Sequence, residues 1–367
     1  MKGFLLTAAM VALFAGFLHF YQLMDYGKVL HNHRPGHCRM VEGPTQGSED
    51  IEVIAKDGIA FVSSGLVYIG IDPKNVHGKI FLYDFSQPTT AGSKLRAKEL
   101  AIKSQTLKKA NFHPHGMSHW MVNGVPRLFI VNHDDDFNHS IEIFDYDAKT
   151  STLIHKKTIK DDALIRPNDI AATGPDSFLF SNDGASQTKL LNIAEVLLSL
   201  KYGSIGYYDG QKFHTVLDGL HGSNGVTYDE KQNILYVSII MDEKIQAFQM
   251  SKDMKSAKKI SSTSVHTGAD NLWLDSDGSI YTGAHPIWYQ AAEHLAECEN
   301  LKVHAPSQVL RLKYDTPHKP ATVTEVYAND GTEASGSSAA VRYKNQLLVG
   351  TVCRQLVHCE IADPSVL

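Results

Sequence analysis

Oxygen-bearing side chains recur in this sequence as short clusters set directly ahead of apolar residues: Glu49-Asp50 before Ile51, Asn168-Asp169 before Ile170, Asn224 before Gly225-Val226, and Asp270-Asn271 before Leu272. Taken singly, Asn and Asp in such places cap strands and turns, their commonest duty in a β protein. Taken together, carboxylate and amide oxygens with no thiol among them form the donor set of a hard divalent cation, and oxygen shells of about six to eight ligands select calcium over zinc or copper. Histidine is the second resource: there are 19 in 367 residues. An imidazole titrating near 6.5 can take a proton from water at neutral pH, although a lone histidine is more often packed or exposed without a role. The sequence has no GxSxG elbow, so a serine hydrolase of that kind is excluded.

For the oxygen clusters to act together, some element must bring them to one point. The chain reads as short strands rich in β-branched and aromatic residues: Ile59 to Ser63, Lys79 to Phe85, Leu128 to Asn132, Ser140 to Tyr146, Ser177 to Ser181, Ser204 to Tyr208, Ile234 to Ile239, Lys244 to Phe248, Ser279 to Thr282, Gln308 to Tyr314 and Gln346 to Gly350. A longer period runs beneath them. Six segments each begin with a polar residue before a small or apolar one, then turn, then enter a buried strand; their anchors are Asp50, His115, Asn168, Asn224, Asn271 and Ser337, spaced 47 to 66 residues apart. A four-stranded propeller blade takes about 40–50 residues plus insertions. The expectation is therefore an all-β, six-bladed β-propeller whose blade-starting residues line a central calcium channel. Clusters in phase with a blade repeat favour cation ligands over turn caps.

The N-terminus differs in kind. Gly3 to Phe20 is 18 residues with no charged side chain, enough for a helix of roughly 27 Å, near the hydrocarbon thickness of a bilayer. It lacks the short apolar region and small-x-small site of a cleaved leader, so residues 1–24 read as a signal anchor and 25–367 as the propeller. Lys2 before it and Asp25 after it place the body outside or in the lumen, membrane-anchored at the endoplasmic reticulum or plasma membrane, or secreted if the leader is removed. Asn138-His139-Ser140 is then a usable glycosylation acceptor. Leu190 to Leu200 is the one clear helix, apolar over most of its circumference, and is expected to lie at an interface.

Composition sets the outer limits. With 43% hydrophobic and 20% charged residues and no low-complexity tract, the chain is globular. A net charge of −5 without basic runs argues against a nucleic-acid partner. Propeller closure requires the first and last segments to share a blade, which would pair Cys38 with Cys359; Cys353 is the competing partner, and Cys298 is then expected to be free.

At the level of motifs the chain resembles the paraoxonase and arylesterase family over nearly its whole length. GSEDIE at 47–52, AFVSSGL at 60–66, NFHPHGMS at 111–118, VNH at 131–133, PNDIAATGP at 167–175, SND at 181–183, SNGV at 223–226, DNL at 270–272, HP at 285–286 and LLVGTV at 347–352 carry the likeness. The resemblance implies two calcium ions and hydrolysis of aryl esters and lactones, in proteins held to membranes or lipoprotein by a retained N-terminal helix. It assigns Glu49, Asn168, Asn224, Asp270 and Asn271 to a catalytic ion, and Asp50, Asp169 and the Met117 backbone carbonyl to a buried structural one. It also implies a His115–His133 dyad, with Asp270 as a competing base or nucleophile, and Tyr68 and His285 in the substrate wall. The chain departs from the pattern at Ala284, where relatives often carry a free Cys, at Val67 beside the mouth, and in Gly219-Leu220-His221-Gly222, which lacks a common Phe. A second function stays open: a membrane-anchored chaperone or assembly factor for membrane proteins, using the rim and hydrolysing nothing. Its discriminator is calcium-dependent turnover of an aryl acetate and a δ-lactone.

Overall fold

The structure, a computed structural model, describes residues 2–69, 71, 73–90, 92–362 and 366. Their strands form six sheets, five of four strands and one of five. Four is thus the usual strand number within a sheet, and six the number of sheets. The first strands of the sheets are Ile51–Ile54, His113–Val122, Pro167–Ala172, Ser223–Asp229, Gly268–Leu274 and Ser337–Tyr343. Each touches the next in that order and the last touches the first, which closes the ring. The all-β propeller-like expectation therefore stands.

Burial explains which strands were legible. Middle strands such as Ile234–Ile239 are buried at every residue, because neighbouring sheets cover both faces. They read as continuous apolar runs. Outer strands such as Phe213–Leu220 and Ala257–Ser264 face water for much of their length, and the polar SSTS and HTVLD sequences hide them.

The closing sheet runs Cys38–Met40, Leu356–Glu360, Gln346–Thr351, Ser337–Tyr343, so strands from both chain ends share it. Cys38 lies directly opposite Cys359 in register and the two are bonded. The expectation of a free Cys298 is wrong: Cys298 is bonded to Cys353. That second bridge is a tertiary consequence, since a helix and its following loop bring residues 55 positions apart together.

Three helices flank one end of the ring. Helix α1, Lys2–Leu23, is exposed, long and apolar enough to cross a membrane by length and composition. Helix α2, Lys189–Leu197, is shorter than the Leu190-to-Leu200 reading, because Ser199 adopts a left-handed backbone and ends it. Its leucines Leu190, Leu191 and Leu197 are exposed while Glu195 is buried, so its polar side faces the protein. Helix α3, Trp288–Ala296, was not foreseen; small residues dilute its apolar stripe. Its N-terminal Trp288 N–H is capped by Asp25 Oδ2 at 3.2 Å, from the far end of the chain.

Candidate functional site

A cavity of about 520 Å³ opens between these helices and the ring. Glu49, Tyr68, His115, Asn168, Asn224, Asp270 and His285 line it at depth, while Phe20, Val196, Leu197, Trp288 and Leu295 form an apolar mouth.

The local backbone explains how strand residues reach into the cavity. Register shifts interrupt pairing between Pro114 and Met117, Pro167 and Ile170, Ser223 and Val226, and Ala269 and Leu272. Each bulge falls on candidate residues: His115, Asn168-Asp169, Asn224 and Asp270-Asn271. A bulge releases residues from the ladder and re-aims their side chains. Glycine makes the crowding tolerable. A Cβ on Gly116 would sit 2.6 Å from the Asn168 carbonyl oxygen, and one on Gly225 would sit 2.3 Å from that of Asp270.

The innermost oxygens have an unusual property. Glu49 Oε2, Asn168 Oδ1, Asn224 Oδ1 and Asn271 Oδ1 are all buried without a hydrogen-bond partner, in an interior where such atoms are normally paired. Two of the three amides are tied down. Asn271 Nδ2 donates to the Glu49 backbone oxygen at 3.0 Å and to Glu49 Oε1 at 2.9 Å, and Asn168 Nδ2 donates to Asp183 Oδ2 at 3.3 Å. These two amides are thereby held with the oxygen free. Such a set fits a hard cation in donor type and in lacking any protein donor. Asp270 completes it and accepts from His285 Nε2 at 2.8 Å.

Asp50 and Asp169 lie deeper. Asp50 accepts from the N–H groups of Ile51 at 2.8 Å and Met117 at 2.6 Å, and Asp169 from Ile170 and Val226, each at 2.7 Å. Burial pushes both carboxyls well above their usual range, and the neighbouring Glu49 and Asp50 charges push the same way. A cation between them would relieve that cost.

His115 Nδ1 and His133 Nε2 are 2.9 Å apart and both rings are buried, so the expected pair is in contact. Burial, then the charges His115 and His139 would carry, drive His133 well below the ordinary imidazole range. Tyr68 packs edge-on to both rings and its hydroxyl donates to Asp183. Asn138 is exposed and its amide donates to both Asp134 carboxylate oxygens at 3.1 Å.

Sequence reasoning missed the supports. Arg166 is buried and bonds Asp183, Ser186 O, Asn192 Oδ1 and Glu195 Oε1, so one guanidinium links α2 to the carboxylate that orients Asn168. Asp183 sits in the quoted SND motif, which was a usable signal; Arg166 and Glu195 carried none.

A closed ring of short sheets with polar residues at one mouth is the architecture of propeller enzymes and propeller binding proteins alike. Among solved structures the chain resembles a luciferin-regenerating enzyme (TM-score 0.54, 9% identity, covering 89% of this chain and 95% of that one). It also resembles a gluconolactonase from Xanthomonas campestris (0.52, 13%, 91% and 99%) and the calcium-binding protein regucalcin from Agrobacterium tumefaciens (0.52, 12%, 90% and 96%). At these identities the likeness concerns fold alone. Sequence similarity goes further. The arylesterase family model matches residues 30–361. Serum paraoxonase/arylesterase 2 from Homo sapiens is 33% identical over 89% of each chain, and serum paraoxonase/lactonase 3 from Homo sapiens is 30% identical over 94% of each. The chain belongs to the arylesterase family, and at family level it is an ester or lactone hydrolase.

Proposed function

We propose that this protein is a calcium-dependent hydrolase of aryl esters and lactones, with residues 25–367 forming one propeller in which each of the six sheets is a blade. The carrying observation is the set of four buried, unpartnered oxygens on Glu49, Asn168, Asn224 and Asn271. Together with Asp270 they would hold one calcium ion; Asp50, Asp169 and the Met117 carbonyl would hold a second. An ion held by these residues would supply Lewis-acid polarisation of a substrate carbonyl and positive charge against the oxyanion that develops there. His115 stands beside Glu49, its Nε2 3.5 Å from Oε1, and takes the proton of the attacking water. His133 holds the His115 ring through its Nδ1 contact. Asp270, gripped by His285, is the competing base. Tyr68, Leu66 and Trp288 shape the wall and exclude bulk water.

The mouth is proposed to meet a lipid surface. Phe20, Leu23 and Met24 of the α1 end line it, and the exposed leucines of α2 lie beside it. The apolar helix and the two disulfides agree with an anchored body in an oxidising compartment, with Asn138 as its proposed glycan acceptor. The test is turnover of an aryl acetate and a δ-lactone by the full chain in detergent, with calcium and after chelation. Turnover abolished by chelation and restored by calcium is expected. No turnover of either substrate in calcium would sink the enzyme reading and leave the rim-binding function.

A further inference from the structure

The histidine pair does not end at His133. His133 Nδ1 lies 2.8 Å from Nδ1 of His139, and His139 Nε2 lies 3.4 Å from Gln187 Oε1. The chain thus runs from the buried His115, through the buried His133, to the partly exposed His139 and the exposed Gln187. A neutral imidazole donates at one nitrogen and accepts at the other. A row of them therefore has only two directions, and the end groups choose between them.

The outer end is set by an amide. Gln187 Nε2 donates to the Ile165 carbonyl at 2.5 Å, which turns Oε1, an acceptor only, toward His139. His139 must then carry its proton on Nε2 and accept at Nδ1. His133 in turn must donate from Nδ1 and accept at Nε2, and His115 must donate from Nδ1. The last nitrogen in the row, His115 Nε2, is left with a free lone pair on the cavity side. The two end contacts are similar in length, 3.4 Å at Gln187 and 3.5 Å between His115 Nε2 and Glu49 Oε1, so occupancy separates them. Glu49 Oε1 already accepts from Asn271 at 2.9 Å, whereas Gln187 Oε1 accepts from no other donor among the described residues. Burial and the neighbouring imidazoles keep His133 neutral, as the row requires.

We propose that His139 is a positioning residue that, steadied by Gln187, fixes the direction of the histidine row so that His115 presents a bare Nε2 to the cavity. The inference rests on the reading of His115 as the base, and it adds a residue that touches neither substrate nor cation. His139 also packs edge-on to Phe137, with ring centroids 4.8 Å apart, so a purely structural role has to be separated from the directing one.

Two arms do this. In the full chain with 15N-labelled histidine, nitrogen shifts should place the His133 proton on Nδ1 and the His139 proton on Nε2; the opposite tautomers would overturn the proposal whether or not any substrate is turned over. In kinetics on an aryl acetate, His139→Phe keeps a ring against Phe137 but removes the acceptor. Its kcat should fall by about 10-fold or more at unchanged KM, short of the roughly 10²–10⁴-fold expected for loss of the base. His139→Gln offers an amide oxygen to His133 and should stay within about 3-fold of the parent. Retained kcat in His139→Phe, or equal losses in both variants, would overturn the directing role. Absence of turnover in the parent would instead strike the proposed function, and the nitrogen shifts would still decide the direction of the row.

Discussion

Replacing Asn224 by Leu should change sign in its effect on stability between chelated and calcium-loaded protein. Asn224 Oδ1 is buried, and among the described residues its side chain has no hydrogen-bond partner whose loss would matter. A buried unsatisfied polar group costs about 1–3 kcal/mol, and exchange for an apolar group of similar shape recovers it. In chelator, Asn224→Leu should therefore stabilise the fold by about 1–3 kcal/mol. In calcium the parent gains RT ln(1 + [L]/Kd), about 4.1 kcal/mol at 1,000 times Kd, which a variant lacking a ligand forgoes. The difference then becomes a loss of about 1–3 kcal/mol. Asn271→Leu is the internal control. Its Nδ2 makes two hydrogen bonds to Glu49 at 3.0 and 2.9 Å, so its removal leaves a buried carboxylate oxygen bare and should destabilise in both conditions. The assay is denaturant unfolding with calcium and with EDTA, comparing midpoints at constant slope. A destabilisation of equal size in both conditions by Asn224→Leu would refute the claim that its oxygen faces a cation.

Three further outcomes are expected. Opening the Cys38–Cys359 bridge with Cys38→Ala, which constrains a separation of 321 residues, should lower stability by up to about 6 kcal/mol on the loop-entropy account, against about 4 for Cys298→Ala with its separation of 55; an unchanged denaturation midpoint in Cys38→Ala would count against closure by that bridge. Acid should weaken the fold. Burial, aided by Arg354 and Arg39 respectively, pulls His294 and His358 down to about 4, so the unfolded chain takes up their protons first and stability falls as pH drops from about 6.5 toward 4. Replacing His358 by Phe should flatten that loss, and an equally steep acid profile in the variant would contradict it. Finally, the full chain should resist carbonate extraction and a chain lacking residues 1–24 should not; equal extraction of both would remove α1 as the anchor.

Where the candidate site was legible, a local pattern carried it. Asn168, Asn224 and Asp270-Asn271 each precede an apolar run in phase with the repeat; the structure places all four on bulges, and Asn168, Asn224 and Asp270 line one cavity. His115 and His133 were legible through their motifs. His139 was not, although it stands six residues beyond His133, because nothing local distinguishes a histidine that continues a row from one that faces water. Arg166 was silent for the same reason: its partners Asp183, Asn192 and Glu195 lie 17, 26 and 29 residues further along the chain and meet it only when α2 folds over the ring.

The sequence alone determined what short-range physics controls. Middle strands must be apolar because both their faces are covered, so Ile234–Ile239 and Gln346–Thr351 announce themselves. The N-terminal 18-residue run without Asp, Glu, Lys or Arg is long and apolar enough, by length and composition, for a helix that crosses a membrane. Once a closed ring is inferred the chain ends must share a sheet, which favours Cys359 as the partner of Cys38 but leaves Cys353 competing until the register is seen. Only the tertiary structure decided the remainder. Helix α3 is capped by Asp25 and stapled through Cys298 to Cys353, contacts made across long separations that no periodicity encodes. Which amide oxygens stay free, and which way a row of imidazoles points, depends on partners that meet only in the fold: Asp183 from the end of the neighbouring strand of the Asn168 sheet, and Glu49 and Gln187 from other sheets. Hydrogen-bond direction is a property of the assembled pair, and for that reason it could not be read from either residue alone.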